Sequence, residues 1–230
     1  MEKEFWLERW SRQEIGFHQD EINTYLTQYW HELELPQGSG VFVPLCGKSR
    51  DMQWLRDRGY RVVGVELSED AVRAFFKENG YLPEQIPCKR FEGFVANDIH
   101  LVCGDFFDLC STDLKGVTSV YDRASLVALP DEMRVRYANH LVSILPAGTQ
   151  ILLVTFDYPQ AEMQGPPFAV SSAEVETLFG KHAEVRLLEQ TDVLAQNPRF
   201  QQRGLSSLQE SVFLLTRSNT FAHQAFPPES

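Results

Sequence analysis

Four short stretches of this chain put residues capable of chemistry at the ends of apolar runs. GVFVPLCGKS (40–49) stops at Pro44 and opens into a small-residue turn with Gly47, Lys48 and Ser49. RVVGVELS (61–68) carries Glu66, LVCGDFFDL (101–109) carries Asp105 and Phe106, and VTSVYDRAS (117–125) carries Arg123. A Gly-Lys-Ser turn after a strand invites a phosphate, but a P-loop needs a glycine five residues before the glycine of GK, and Phe42 stands there. The GxGxxG fingerprint of dinucleotide sites is also absent, so a pyrophosphate would lack the glycines that let backbone approach it.

A nucleoside without a diphosphate remains. Glu66, about 20 residues beyond the turn, is placed to accept hydrogen bonds from both ribose hydroxyls. The turn and the helix start at Ser49 would meet an amino-acid end, a combination that suits S-adenosylmethionine. Asp105 is placed to accept from the adenine amino group and Phe106 to cover the base. Each piece has a plainer reading: Glu66 as a solvated acid capping the next helix, Asp105 and Phe106 as a loop with a buried ring. Their order after three successive strands favours the joint reading.

The elements that must position these residues alternate. GVFVP, RVVGVE, IHLVC, VTSVYD and TQILLVTF are near-continuous apolar runs, as expected of strands covered on both faces. Between them lie helices: one from Ser49 to Gly59; one with Ser68 as N-cap, Val72, Phe75 and Phe76 on one face, and Gly80 at its end; one after Pro130 with Met133, Tyr137, Leu141 and Leu145 in step. Strict alternation predicts a parallel sheet with right-handed crossovers. Further on, VSSAEVETLFG reads as a helix, and AEVRLLEQTDV and ESVFLLT as an antiparallel pair at the sheet edge. The loop from Asn197 to Ser207 and the tail FAHQAFPPES are expected to be mobile.

Composition narrows the function class. The chain has 230 residues, 43% of them apolar, enough for one continuous core. A net charge of −11 argues against nucleic acid and anionic membrane as partners. No apolar run approaches the roughly 20 residues of a membrane span, and MEKEFWLERW lacks the pattern of a signal peptide. A soluble, cytoplasmic protein is expected. The four cysteines, Cys46, Cys88, Cys103 and Cys110, have neither zinc spacing nor disulfide density, so no metal is expected and reduced thiols are; Cys46, in the turn, is the one candidate for reactivity.

Taken together, EFWLERWSRQEIGFHQ, VFVPLCGKSRDMQWLRDRGYRVVGVELS, YDRASLVAL, GPPFAVSSAEVETLFG and ESVFLLT resemble the thiopurine S-methyltransferase family over nearly the whole chain. The resemblance implies one α/β domain over 1–230, with residues 1–35 as a helical cap. Its core would be the seven-stranded, mostly parallel, Rossmann-like sheet of class I S-adenosylmethionine-dependent methyltransferases, with helices on both faces and an N-terminal lid. It implies S-adenosylmethionine as methyl donor and thiopurines or other aromatic thiols as acceptors, with selenium and tellurium species as acceptors among bacterial members. Carried over residue by residue, cofactor contacts fall on Trp10, Leu45, Glu66, Asp105, Phe106 and Arg123, and Phe17 in GFHQ covers the substrate. QNPRFQQRG fits the family pattern poorly, leaving Arg199 and Arg203 as alternative substrate contacts. A monomer is expected.

Arg123 is the residue expected to touch the acceptor, favouring its thiolate or hydrogen-bonding to it; an ion pair with Asp122 or another acid is the alternative. Trp10 reads alternatively as a core aromatic paired with Trp6. Because Trp6, Trp10, Ile15 and Phe17 are too apolar to stay solvated, the segment from Phe5 to about Tyr25 is expected to close over the cofactor. Two other functions compete: a protein that binds S-adenosylmethionine without turnover, and a dinucleotide-dependent oxidoreductase sharing the Glu66 geometry. The missing glycine fingerprint argues against the second, Phe17, His18 and Arg123 against the first.

Overall fold

A computed structural model describes residues 3–88 and 90–218; the tail FAHQAFPPES lies outside the described residues. The strands are β1 (Gly40–Val43), β2 (Arg61–Glu66), β3 (Glu84–Pro87), β4 (Glu92–Ala96), β5 (Ile99–Cys103), β6 (Val117–Arg123), β7 (Gln150–Asp157), β8 (Ala183–Asp192) and β9 (Gln209–Arg217). They form one sheet in the order β3-β4-β5-β2-β1-β6-β7-β9-β8. From β5 to β7 all neighbours are parallel, while β9 runs antiparallel between β7 and β8.

The sheet has nine strands where seven were expected. The extra pair, β3 and β4, extends the β5 edge in antiparallel pairing. Its signal was present in FEGFVANDIHLVC: two apolar runs separated by Asn97 and Asp98, both left-handed at φ 50° and 62°. That is the two-residue turn whose twist matches a hairpin, and asparagine and aspartate tolerate it.

Among the described residues seven α-helices accompany the sheet: α1 (Lys3–Ser11), α2 (Thr24–Tyr29), α3 (Asp51–Asp57), α4 (Glu69–Glu78), α5 (Asp131–Ile144), α6 (Ser172–Phe179) and α7 (Pro198–Gln202). Successive strand residues point to opposite faces, and the core divides accordingly. Phe42, Val65, Ile151, Leu153, Phe213 and Leu215 pack with α5 and α6 through Tyr137, Leu141, Val175 and Phe179. Val41, Val43, Val62, Leu152, Val154, Val212 and Leu214 pack on the other face with Leu26, Met52, Leu55, Val72, Phe75 and Phe76 of α2, α3 and α4. Ser68 caps α4 as its side chain accepts from the Ala71 N–H.

The segment from Asn197 to Ser207 is not the loose loop its polarity suggested. It contains α7, and Leu205 with the partly buried Phe200 joins Tyr158, Met163, Val193 and Leu208 in a small separate core. Ser206 is tied to Glu162 by both its N–H and its hydroxyl. Among the described residues no helix is long and apolar enough to cross a membrane.

Candidate active site

The chain leaves β1 toward β2 on one side and later returns to β6 on the other, so the carboxyl ends of β1 and β6 mark the switch point where open α/β sheets bind ligands. Left-handed backbone follows both strands there. Leu45 (φ 44°) and Gly47 (φ 52°) follow β1, and Ala124 (φ 84°) follows β6. Non-glycine residues in this region cost about 1–3 kcal/mol each and persist where surroundings impose them, as at ligand sites. The two turns are also joined, since the Ser125 hydroxyl donates to the Pro44 carbonyl at 2.9 Å.

Glu66, the last residue of β2, is 6% exposed rather than solvated. Its carboxylate accepts the Gly47 N–H at 2.9 Å and the Ser68 N–H at 2.8 Å, tying the turn after β1 to the start of α4. Burial raises its pKa, and these backbone donors oppose the rise. Cys46 in the same turn is buried, and burial together with the Glu66 charge pushes its thiol well above its usual value. It is an inert core group, not the reactive thiol its position suggested.

Arg123 ends β6 with its side chain 12% exposed, its Nε 3.9 Å from Asp51 Oδ2. That Nε is buried and has no hydrogen-bond partner. The pair with adjacent Asp122 is not made, because consecutive strand residues face opposite sides. Asp122 instead accepts from the Tyr137 hydroxyl at 2.6 Å and the Ser125 N–H at 3.2 Å. Asp51, which the sequence showed only as an acid in a first helical turn, is therefore a site residue that sequence reasoning missed. Glu210 is another: it is the second residue of β9, opposite Phe156 of β7, its pKa raised by burial, hydrogen-bonded to Tyr25 and near Arg123. Nothing in ESVFLLT distinguishes that glutamate from a solvent-facing strand residue.

Asp105 caps a short turn by accepting the Phe107 N–H at 2.9 Å, and its other oxygen pairs with Lys3 Nζ at 2.6 Å. The ring of Phe106 differs from expectation. It faces the core, its centroid 4.7 Å from Tyr137, 5.2 Å from His140 and 6.4 Å from Phe42. An apolar ring beside a buried strand gains more from burial than from covering a surface.

The N-terminal region closes over these strand ends in two unlike parts. Residues 3–22 touch the body through Lys3, through Arg50 donating to the Asp20 carbonyl, and through Arg199 donating to the Gly16 carbonyl at 2.7 Å. Trp10 is 5% exposed, and a Cβ added to Gly47 would come within 3.2 Å of its ring, so the turn is glycine where the indole lies on it. Phe17 stands edge-on to both Trp6 and Trp10, at 5.6 and 5.5 Å, and keeps 37% exposure. The alternative reading of Trp10 as the partner of Trp6 gives way to a contact that both rings share with Phe17. Burial, and after it the Lys48 charge, lowers the His18 pKa, and its Nε2 lies 3.7 Å from Asp20 Oδ1. From Asn23 onward the chain belongs to the main core: Asn23 caps α2, and Tyr25, Leu26, Trp30 and Leu33 are buried there. The lid therefore ends at Asn23 rather than Tyr25. Arg203 points elsewhere, toward the Met163 sulfur at 3.5 Å.

Comparison with known proteins bears on the family and the fold. The profile of the thiopurine S-methyltransferase family matches residues 1–218. The chain is 64% identical over 215 residues to the thiopurine S-methyltransferase of Nitrosospira multiformis, covering 94% of this chain and 98% of that one. It is 50% identical to the enzyme of the same name from Azotobacter vinelandii, covering 94% and 100%. Among solved structures, an Anabaena variabilis S-adenosylmethionine-dependent methyltransferase superposes with a TM-score of 0.64 at 12% identity, covering 94% of each chain. The Burkholderia thailandensis 1,6-didemethyltoxoflavin-N1-methyltransferase, solved with S-adenosylhomocysteine and its substrate, gives 0.63 at 14% identity, covering 94% of this chain and 87% of that one. These structural likenesses show the fold, and the sequence relationship shows more: this chain belongs to the thiopurine S-methyltransferase family.

Proposed function

We propose that this chain transfers the methyl group of S-adenosylmethionine to the sulfur of thiopurines and related flat heterocyclic or aromatic thiols. The observation that carries this reading is that a buried carboxylate, Glu66, ends β2 and a half-buried cation, Arg123, ends β6, beside the strained turns of the switch point and under an aromatic lid.

The donor set suits the cofactor. Glu66 offers a carboxylate to a ribose diol, Asp105 offers an acceptor to an adenine amino group once Lys3 yields it, and Leu45 and Trp10 bound the turn that would take the amino-acid end. Phe106 contributes from the core side, backing the adenine region through packing. Arg123 turns its Nε toward Asp51 at 3.9 Å, which leaves the outer edge of the guanidinium as the donor for the cofactor carboxylate or the acceptor. Phe17, the most exposed ring of the lid cluster, would cover the acceptor, and Arg199 approaches the same GFHQ segment while Arg203 does not.

Bound cofactor supplies an electrophilic methyl group, and the chain supplies alignment, charge and exclusion of water. Alignment of two reactants is worth up to roughly 7–11 kcal/mol of barrier. Arg123 favours the thiolate form of the acceptor, so no dedicated base is required. Residues 3–22 act as the lid, anchored by 23–35 in the main core, of a single methyltransferase domain that works as a cytoplasmic monomer. The net charge of −11 supports a small-molecule acceptor over nucleic acid or anionic membrane. The test is incubation with isotopically labelled S-adenosylmethionine and a panel of thiopurines, aryl thiols, selenite and tellurite, read by product mass. Methylated thiopurine is expected, and cofactor binding without any methylated product would reject the reading in favour of a non-catalytic binder.

A further inference from the structure

Asp51 faces Arg123 but has been given no role toward cofactor or acceptor, and it is a carboxylate only 2% exposed in the first turn of α3. Burying such a group is costly unless its oxygens are engaged. Both are, by groups from separate elements. Oδ1 accepts the Asn23 N–H at 2.9 Å, which fixes the orientation of the carboxylate where the lid meets the core. Oδ2 accepts the Tyr121 hydroxyl at 3.1 Å and lies 3.9 Å from Arg123 Nε. Tyr121 and Arg123 are two apart on β6 and so leave the same face of the strand. Burial and the neighbouring Asp51 charge push the Tyr121 hydroxyl well above its usual value, which keeps it a protonated donor. The other charges near Arg123 are Glu210, which Tyr25 hydrogen-bonds, and His18, with Lys48 beyond it.

We propose that Asp51 is a positioning residue for methyl transfer: with Tyr121 it holds the stem of Arg123 against the core, leaving the outer edge of the guanidinium for the acceptor. Released from Asp51, the guanidinium is drawn toward Glu210 and away from the reacting sulfur. The inference rests on Arg123 serving the acceptor as proposed above.

The test uses the full chain with a thiopurine as acceptor. Asp51→Asn retains an oxygen for the Asn23 N–H but removes the charge facing Arg123. Turnover is expected to fall about tenfold, while acceptor KM and the Kd for S-adenosylhomocysteine stay within about threefold. Combining it with Arg123→Lys is the sharper measurement. If Asp51 acts through Arg123, the double variant is no slower than Arg123→Lys alone, and losses that multiply overturn the proposal. Should Asp51→Asn fail to fold, Tyr121→Phe removes a hydroxyl from the same cluster and takes its place in the cycle, with the same two outcomes. A readout independent of turnover is the NMR signal of the Arg123 Nε–H, which is expected to shift and broaden in either variant; an unchanged signal overturns the proposal. A parent protein that methylates no thiol would refute the functional reading instead, and the NMR comparison would still decide the role of Asp51.

Discussion

Glu66→Gln tests the cofactor site at its most constrained point. The carboxylate accepts backbone N–H groups with both oxygens, from Gly47 at 2.9 Å and Ser68 at 2.8 Å. An amide has one oxygen, so one of these N–H groups must face an NH2 donor. A buried donor left unsatisfied costs about 1–3 kcal/mol, so the variant should lose that much stability in the absence of ligand; the swap is not neutral to the fold, as shape alone would suggest. Ribose hydroxyls then meet a neutral amide instead of a carboxylate, and hydrogen bonds to charged groups are worth about 1.5–3 kcal/mol. The Kd for S-adenosylhomocysteine should therefore rise about 10- to 150-fold. Titration calorimetry measures the binding term, and thermal unfolding without ligand measures the stability term separately. The pH dependence gives a second sign. Burial raises the Glu66 pKa above 4.5. Because the folded value lies above the unfolded one, the charged group weighs against folding at neutral pH, and that penalty is relieved as pH falls through the raised value. Binding needs the carboxylate and moves oppositely, weakening over the same fall in pH. In the variant both trends from this residue should vanish. A Kd equal to that of the parent at neutral pH would refute the ribose assignment.

Three further outcomes follow from the same geometry. Arg123→Lys should lower kcat/KM for a thiopurine more than it changes the Kd for S-adenosylhomocysteine, and Arg123→Ala should slow thiopurine and aryl thiol alike; intact turnover after Arg123→Ala would make the residue structural. Addition of S-adenosylhomocysteine should slow hydrogen exchange in residues 3–22, while 24–33, already packed in the core, stays protected throughout; uniform behaviour across Asn23 would remove the division of the cap. With limiting alkylating reagent, Cys110 should react first, because hydrogen bonds from Thr112 and Arg90 lower its thiol pKa at the surface, and Cys46 should remain unmodified until unfolding; native labelling of Cys46 would show that the turn after β1 opens.

The alternation of apolar runs with helical spacing, ended by Gly59 and Gly80 and started by Ser68, was sufficient for the parallel sheet, its helices and the positions of Glu66 and Arg123 at strand ends. Such signals are local: a strand buried on both faces reads as an unbroken apolar run whatever its neighbours are. The β4–β5 hairpin is equally local in Asn97–Asp98, although the longer parallel pattern masks it. What only the tertiary structure decided is which side chains meet. Whether Arg123 pairs with Asp122 or Asp51 depends on the facing of β6 and on α3 arriving from 70 residues earlier at the Tyr121–Asp51 contact. Phe106 turned inward because Phe42 and Tyr137, far away in sequence, supplied a better surface than solvent. Arg199 rather than Arg203 reached the lid across 183 positions. Propensity and periodicity act over a few residues, whereas the burial that selects among partners is a property of the assembled sheet.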